Sequence, residues 1–227
     1  MTEPAAQPQP DDRPVLLLDR WDALLTRVLA DAPAGLTARR GRELLARYAE
    51  PHRRYHNTAH LAEVLDRVDE LRGYASFADL VRLAGWFHDA IYDPLAPDNE
   101  ERSAALAEET LAELGVRKQL YLEVSRLVLA TRAHDPAAAD RNGQVLCDAD
   151  LAVLARPQPA YDDYARAIRT EYAQVPTADF RIGRSRILRA LLDRPAIYAT
   201  APARARWEAP ARANLARELA ELTGAPG

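Results

Sequence analysis

The chain has 227 residues, 48% of them apolar and 28% charged, with a formal net charge of −4 and a pI near 5.8. That length suits one large domain or two small ones, and the mild acidity excludes the global basic field of a dedicated duplex nucleic-acid binder. A single cysteine, Cys147, excludes an internal disulfide and points to a reducing, cytoplasmic setting, and no apolar run approaches the roughly 20 residues that cross a bilayer.

Residues 1–14 are rich in Pro, Gln and Asp without apolar periodicity, so a disordered leader is expected there; it lacks the charged-then-apolar pattern of a signal peptide. Beyond it, apolar residues recur at three- and four-residue spacing and strand signals are almost missing. An all-α, single-domain helical bundle over 15–223 is therefore predicted. A first helix is expected over 15–29 and a second over 38–48, after the break at Pro33-Ala34-Gly35, with Thr37 as its N-cap. Leu61, Val64, Leu65, Val68 and Leu71 form one stripe, which sets His60 at the start of a third helix. The fourth, over 78–90, is apolar nearly all round and belongs at the centre. Asp98 is placed to cap a fifth helix, with Glu101 three residues on and Gly115 as its stop. Further helices are predicted over 118–133, 144–154, 161–172, 178–192 and 204–222.

All five histidines, His52, His56, His60, His88 and His134, fall in one window. Solvated filler residues scatter, whereas a ligand set is drawn from elements that converge in space. His88-Asp89 interrupts an apolar, aromatic run from 83 to 92, and burying either group unpaired costs several kcal/mol, a penalty that a shared cation removes. Asp148 and Asp150 interrupt a later apolar segment in the same way, and one of them is expected to complete the site. His56 and His60 stand four apart, but Asn57-Thr58 between them marks a helix start, so one is read as a ligand and the other as its neighbour.

This order, a His, a His-Asp pair and a distant Asp on a helical scaffold, resembles the HD-domain superfamily of metal-dependent phosphohydrolases, and within it a bacterial subgroup of predicted phosphohydrolases. The resemblance rests on Arg54-Tyr55-His56-Asn57-Thr58-Ala59-His60, on Trp86-Phe87-His88-Asp89-Ala90-Ile91-Tyr92-Asp93 with Asp98-Asn99-Glu100 beyond, and on Asp148-Ala149-Asp150-Leu151. It covers residues 50–155. It implies a fold of HD type with His60, His88, Asp89 and Asp150 as metal ligands, Asp148 being the alternative for the last. Two imidazoles and two carboxylates suit Mn, Fe, Co, Ni or Zn, and the carboxylates also admit Mg. A divalent metal ion lowers the pKa of bound water from about 15.7 towards about 7, which implies attack of metal-bound water on phosphorus.

Glu100, and after it Asp93, are the candidate general acid or base. Arg54 and Arg132 flank the suspected ligands and carry the planar guanidinium that grips a phosphate; His56 and His134 are read as further substrate contacts. The expected partner is a small phosphorylated molecule such as a nucleotide, with neither a membrane nor duplex nucleic acid, and residues 160–222 are left to close the pocket or to form a homodimer surface. Two other functions fit the same residues: a non-catalytic metal- or nucleotide-binding module, and a di-iron HD-type oxygenase with His56 and His134 as its spare ligands. Plainer readings stand beside these. His52 reads as a surface residue, Asp98-Asn99-Glu100 as a helix start, and Arg169, Arg181, Arg184 and Arg186 as solvated faces. Trp86, Phe87 and Tyr92 read as packing around the site, and Cys147 as buried and inert.

Overall fold

The computed structural model describes residues 12–29, 31 and 34–224, and among them places ten α-helices and no strand. In chain order they are α1 (Arg13–Val28), α2 (Ala34–Tyr48), α3 (Thr58–Leu71), α4 (Ala78–Phe87), α5 (Asn99–Glu113), α6 (Lys118–Ala130), α7 (Arg141–Leu151), α8 (Gln158–Glu171), α9 (Thr177–Leu192) and α10 (Ala201–Thr223). The all-α expectation therefore holds. Most of the expected leader, residues 1–11, lies outside the described residues; Arg13 and Pro14 belong to α1, whose first turn accepts a proline because the N–H it lacks has no helical partner there.

α4 carries the apolar sequence Leu80, Val81, Leu83, Ala84, Trp86 and Phe87, all buried, and packs against α1, α3, α5, α6 and α7. Trp86 meets Trp21 of α1 edge-on at 5.2 Å. The stripe on α3 buries Leu61, Val64, Leu65, Val68 and Leu71. One continuous core runs from Leu17 to Leu215, with α10 lying on α9 and on the short 3-10 segment Ala152–Ala155. No helix among the described residues is long and apolar enough to cross a membrane.

The departures from periodicity have local causes. α2 begins at Ala34, so Thr37 sits inside it, its carbonyl accepting the Trp21 indole N–H at 2.9 Å. Asp98 precedes α5 without making a side-chain cap; Asn99 Oδ1 instead accepts from Asp93 N at 3.0 Å. α7 starts three residues early because Asp140 Oδ1 accepts the Gly143 N–H at 2.9 Å. Arg184 is half-buried and paired, not solvated: its Nε and Nη2 reach Glu218 of α10 at 2.8 and 2.9 Å. α4 ends at Phe87 rather than 90, and this end builds the site.

Candidate metal centre

His60 enters the interior because Asn57 caps α3: its Oδ1 accepts from Ala59 N at 2.8 Å and from His60 N at 3.4 Å. His88 is the C-cap of α4, with Nδ1 2.9 Å from the Gly85 carbonyl. A carbonyl only accepts, so Nδ1 carries the proton and Nε2 presents its lone pair inward, 3.1 Å from His60 Nε2. Asp89 Oδ2 lies 3.3 Å from His60 Nε2 and 3.0 Å from His88 Nε2. Asp150, at the end of α7, brings Oδ1 to 3.1 Å from His60 Nε2 and 3.6 Å from His88 Nε2.

These separations fit a bound ion. Donors about 2.1 Å from a metal stand about 3.0 Å apart at right angles and about 3.4 Å apart in a tetrahedron. His60, His88 and Asp150 form a group that can hold a metal ion, all three donor atoms lying within 4.8 Å of one another. Two facing imidazole nitrogens 3.1 Å apart need a proton or a cation between their lone pairs. The electrostatics agree. Burial pushes the Asp89 and Asp150 carboxyls up, but without an ion a second proton on His88, at Nε2, gives that ring a charge that outweighs burial, and both carboxyls are held well below the carboxylate range. Burial lowers His60, yet the carboxylates of Asp150 and Asp89 raise it above its ordinary value. Two imidazoles beside ionised carboxylates at these separations are a donor set that could hold a metal ion. The side chains of His60 and His88 are 2% and 1% exposed against 21% for Asp89 and 15% for Asp150, so the centre opens to solvent on its carboxylate side.

Two residues that sequence reasoning missed hold these segments together. Arg53 is buried, and its Nη1 donates to His56 O at 3.0 Å and Asp89 O at 2.7 Å while Nη2 donates to Ala90 O at 3.1 Å. It thereby satisfies carbonyls left open where α4 stops and ties that turn to the chain leading into α3. Glu171 of α8 accepts from the backbone N–H groups of Arg54, Tyr55 and His56 at 2.7, 2.7 and 3.0 Å, and from the Tyr92 hydroxyl at 2.9 Å. Its Oε2 is 2.6 Å from His56 Nδ1. Burial pushes the Glu171 carboxyl up, but the His56 contact and the backbone donors draw it down to about 2. A signal for Glu171 exists in the sequence: Tyr161, Tyr164 and Ile168 form the buried stripe of α8, and Glu171 falls next on it.

The remaining candidates divide. His134 joins the centre, with Nε2 2.7 Å from Asp150 Oδ2. His56 stacks on Tyr92 at 4.1 Å, and its ring is 5.8 Å from that of His60. Arg54 is exposed, and its guanidinium has no hydrogen bond or ion pair among the described residues. Arg132 is not free in this way, being paired with Glu101 on the surface. Asp93 is exposed in the loop after the centre, its Oδ1 accepting from Leu95 N at 2.9 Å. Glu100 lies in the first turn of α5, where its charge is felt by the Tyr172 phenol; no hydrogen bond or ion pair joins it to the four donors. Asp148 is buried away from the cluster, accepting from Ala199 N and Thr200 N at 2.7 Å each. His52 is exposed and bonds the Tyr92 carbonyl at 2.9 Å, and Cys147 is buried with its thiol pushed up by that burial.

Comparison with protein-family models, with curated proteins and with solved structures finds no match for this chain.

Proposed function

We propose that the protein is a cytoplasmic, metal-dependent phosphohydrolase of HD type that cleaves a small phosphate ester such as a nucleotide. The observation that carries this reading is the convergence of two imidazoles and two carboxylates, from α3, the end of α4 and α7, on a point open to solvent on one side. A divalent ion, Mn, Fe, Co, Ni, Zn or Mg, would supply Lewis acidity there, activating water and neutralising phosphoryl charge.

The chain's own groups then have distinct tasks. His60, His88, Asp89 and Asp150 hold the ion, and His134 orients Asp150 through its second oxygen. His56 is the proton-transfer group. Glu171 is ionised and accepts from Nδ1, which leaves Nε2 as the nitrogen that exchanges a proton with the reacting group. Neither Glu100 nor Asp93 is held in a comparable way, so His56 takes the role expected of them. The unpaired Arg54 guanidinium is available to a phosphate approaching from solvent.

Elemental analysis of protein purified without chelators tests the reading, with wild type compared with His88→Ala and Asp150→Ala. About one metal per chain, lost in both variants, followed by phosphate release from a panel of phosphate esters, is the expected result. No bound metal after supplementation would sink it. About two metals per chain would favour the oxygenase, and one metal without turnover the binding module.

A further inference from the structure

Tyr55 stands between the metal centre and α8. Its ring lies 4.6 Å from the His60 ring and 4.6 Å from the Tyr164 ring, and the residue is only 8% exposed. Its backbone N–H is held by Glu171 at 2.7 Å. Yet the Tyr55 hydroxyl has no hydrogen-bond partner among the described residues.

Buried tyrosine hydroxyls usually find a partner, and leaving one unpaired destabilises the fold by the cost of removing it from water. The Arg40 Nε is in the same state, but that guanidinium pairs through its other nitrogens with Glu43 and Glu113. Tyr55 has no second polar atom on its side chain, so its loss is uncompensated within the protein. Such a group beside a reactive centre is explained when a ligand completes it.

The surroundings indicate which ligand. Glu63 lies three residues after His60 on α3, and Arg156, six residues after Asp150, pairs with it through Nε at 3.1 Å. The Tyr164 phenol and the charges of Asp150, Glu63 and Arg156 all act on the Tyr55 hydroxyl. A phenol is protonated at neutral pH, so its O–H offers a proton and not a negative charge. A neutral O–H donor beside a centre that would hold a divalent ion suits a phosphoryl oxygen bound there.

We infer that the Tyr55 hydroxyl is a substrate-binding donor of the His60–His88–Asp89–Asp150 centre, left without a protein partner so that a phosphoryl oxygen accepts its hydrogen bond. This rests on the phosphohydrolase reading. The substrate contact offsets in the complex what the empty hydroxyl costs in the free protein, a trade of stability for function.

Tyr55→Phe removes the oxygen and keeps the ring. Thermal unfolding of the metal-loaded full chain, with and without inorganic phosphate, reads both sides of the trade, and metal content is measured on the same samples. Without phosphate the variant is expected to melt at the wild-type temperature or above it. With phosphate its upward shift should be smaller, corresponding to about tenfold weaker binding, as expected for a lost hydrogen bond to a charged acceptor. A phosphate-free variant that melts several degrees lower, or fails to fold, would show that the hydroxyl is structural and overturn the inference. Equal melting with equal phosphate affinity would overturn it as well, leaving the hydrolase reading intact. Wild-type protein that holds its metal and does not respond to phosphate would overturn both.

Discussion

Asp148 and Asp150 leave α7 two residues apart and serve opposite sides of it. Successive helical positions turn by about 100°, so their side chains diverge by about 200°. Asp150 Oδ1 meets His60 Nε2 at 3.1 Å, whereas the Asp148 oxygens receive the Ala199 and Thr200 N–H groups at 2.7 Å each and dock the start of α10. Asp150→Asn is expected to lose the metal and remain folded. Asp148→Ala should keep the metal and lose about 2 kcal/mol of stability, because two N–H donors, one of them buried, lose a charged acceptor. Metal content measured beside urea unfolding separates the two; metal lost from the Asp148 variant at unchanged stability would reverse the assignment.

His134 is the one described non-glycine residue with positive φ, at 46°. That geometry persists because both ends of the residue are tied: Arg194 Nη1 donates to its carbonyl at 2.6 Å, and its Nε2 meets Asp150 Oδ2 at 2.7 Å. A partner that orients a metal-binding carboxylate typically contributes 10–100-fold in metal affinity. His134→Ala should weaken metal binding by about that factor in a competitive chelator titration, with little change in unfolding midpoint for the metal-free protein. Unchanged metal affinity would remove His134 from the centre.

Arg53 joins the two halves of the site through three backbone carbonyls, its side chain fully buried beside Glu50 at 3.0 Å. Arg53→Ala leaves those carbonyls and the turn after α4 without donors, and a loss of about 3 kcal/mol is expected. Lysine keeps the charge but not the planar fork, so Arg53→Lys should recover little of that stability and little of the metal affinity. Full recovery in the lysine variant would mean that charge alone, not the shape of the guanidinium, holds the segments together.

What could be read from the sequence, and what could not, follows the range of the interactions involved. Helices with a clean apolar stripe, such as α3 with Leu61, Val64, Leu65 and Val68, declare themselves, since burial of one face is a local property of the chain. The clustering of His60, His88 and Asp150 was legible because charged groups inside apolar runs demand a shared explanation. Boundaries were less legible where one side chain decides them, as Asp140 does for α7 and Arg53 for the turn after α4. Arg184 resembled a solvated arginine because its partner, Glu218, is 34 residues away. The burial of Glu171 was readable from the α8 stripe, but its role was hidden for the same reason: its partners lie more than a hundred residues earlier, at Arg54, Tyr55 and His56.

Glu171 makes the pH dependence of stability specific. Its ordinary value of 4.5 falls to about 2 in the folded protein, where burial is outweighed by His56 and the backbone donors. A carboxyl with a depressed folded value stabilises fully above its unfolded value and loses that contribution as pH falls towards the folded one, so the window runs from pH 4.5 down to about 2. Within it the unfolded chain binds up to one more proton, adding up to about 1.4 kcal/mol per pH unit to the slope and about 3 kcal/mol in all. The side chain has no exposed surface, so little screening by solvent is expected. Urea unfolding at half-unit steps between pH 5 and pH 3 should therefore give a shallower stability curve for Glu171→Gln than for wild type, the two converging as pH falls. Parallel curves would mean that the unfolded and folded chains titrate this carboxyl alike, and that Glu171 does not anchor His56 as an ionised partner.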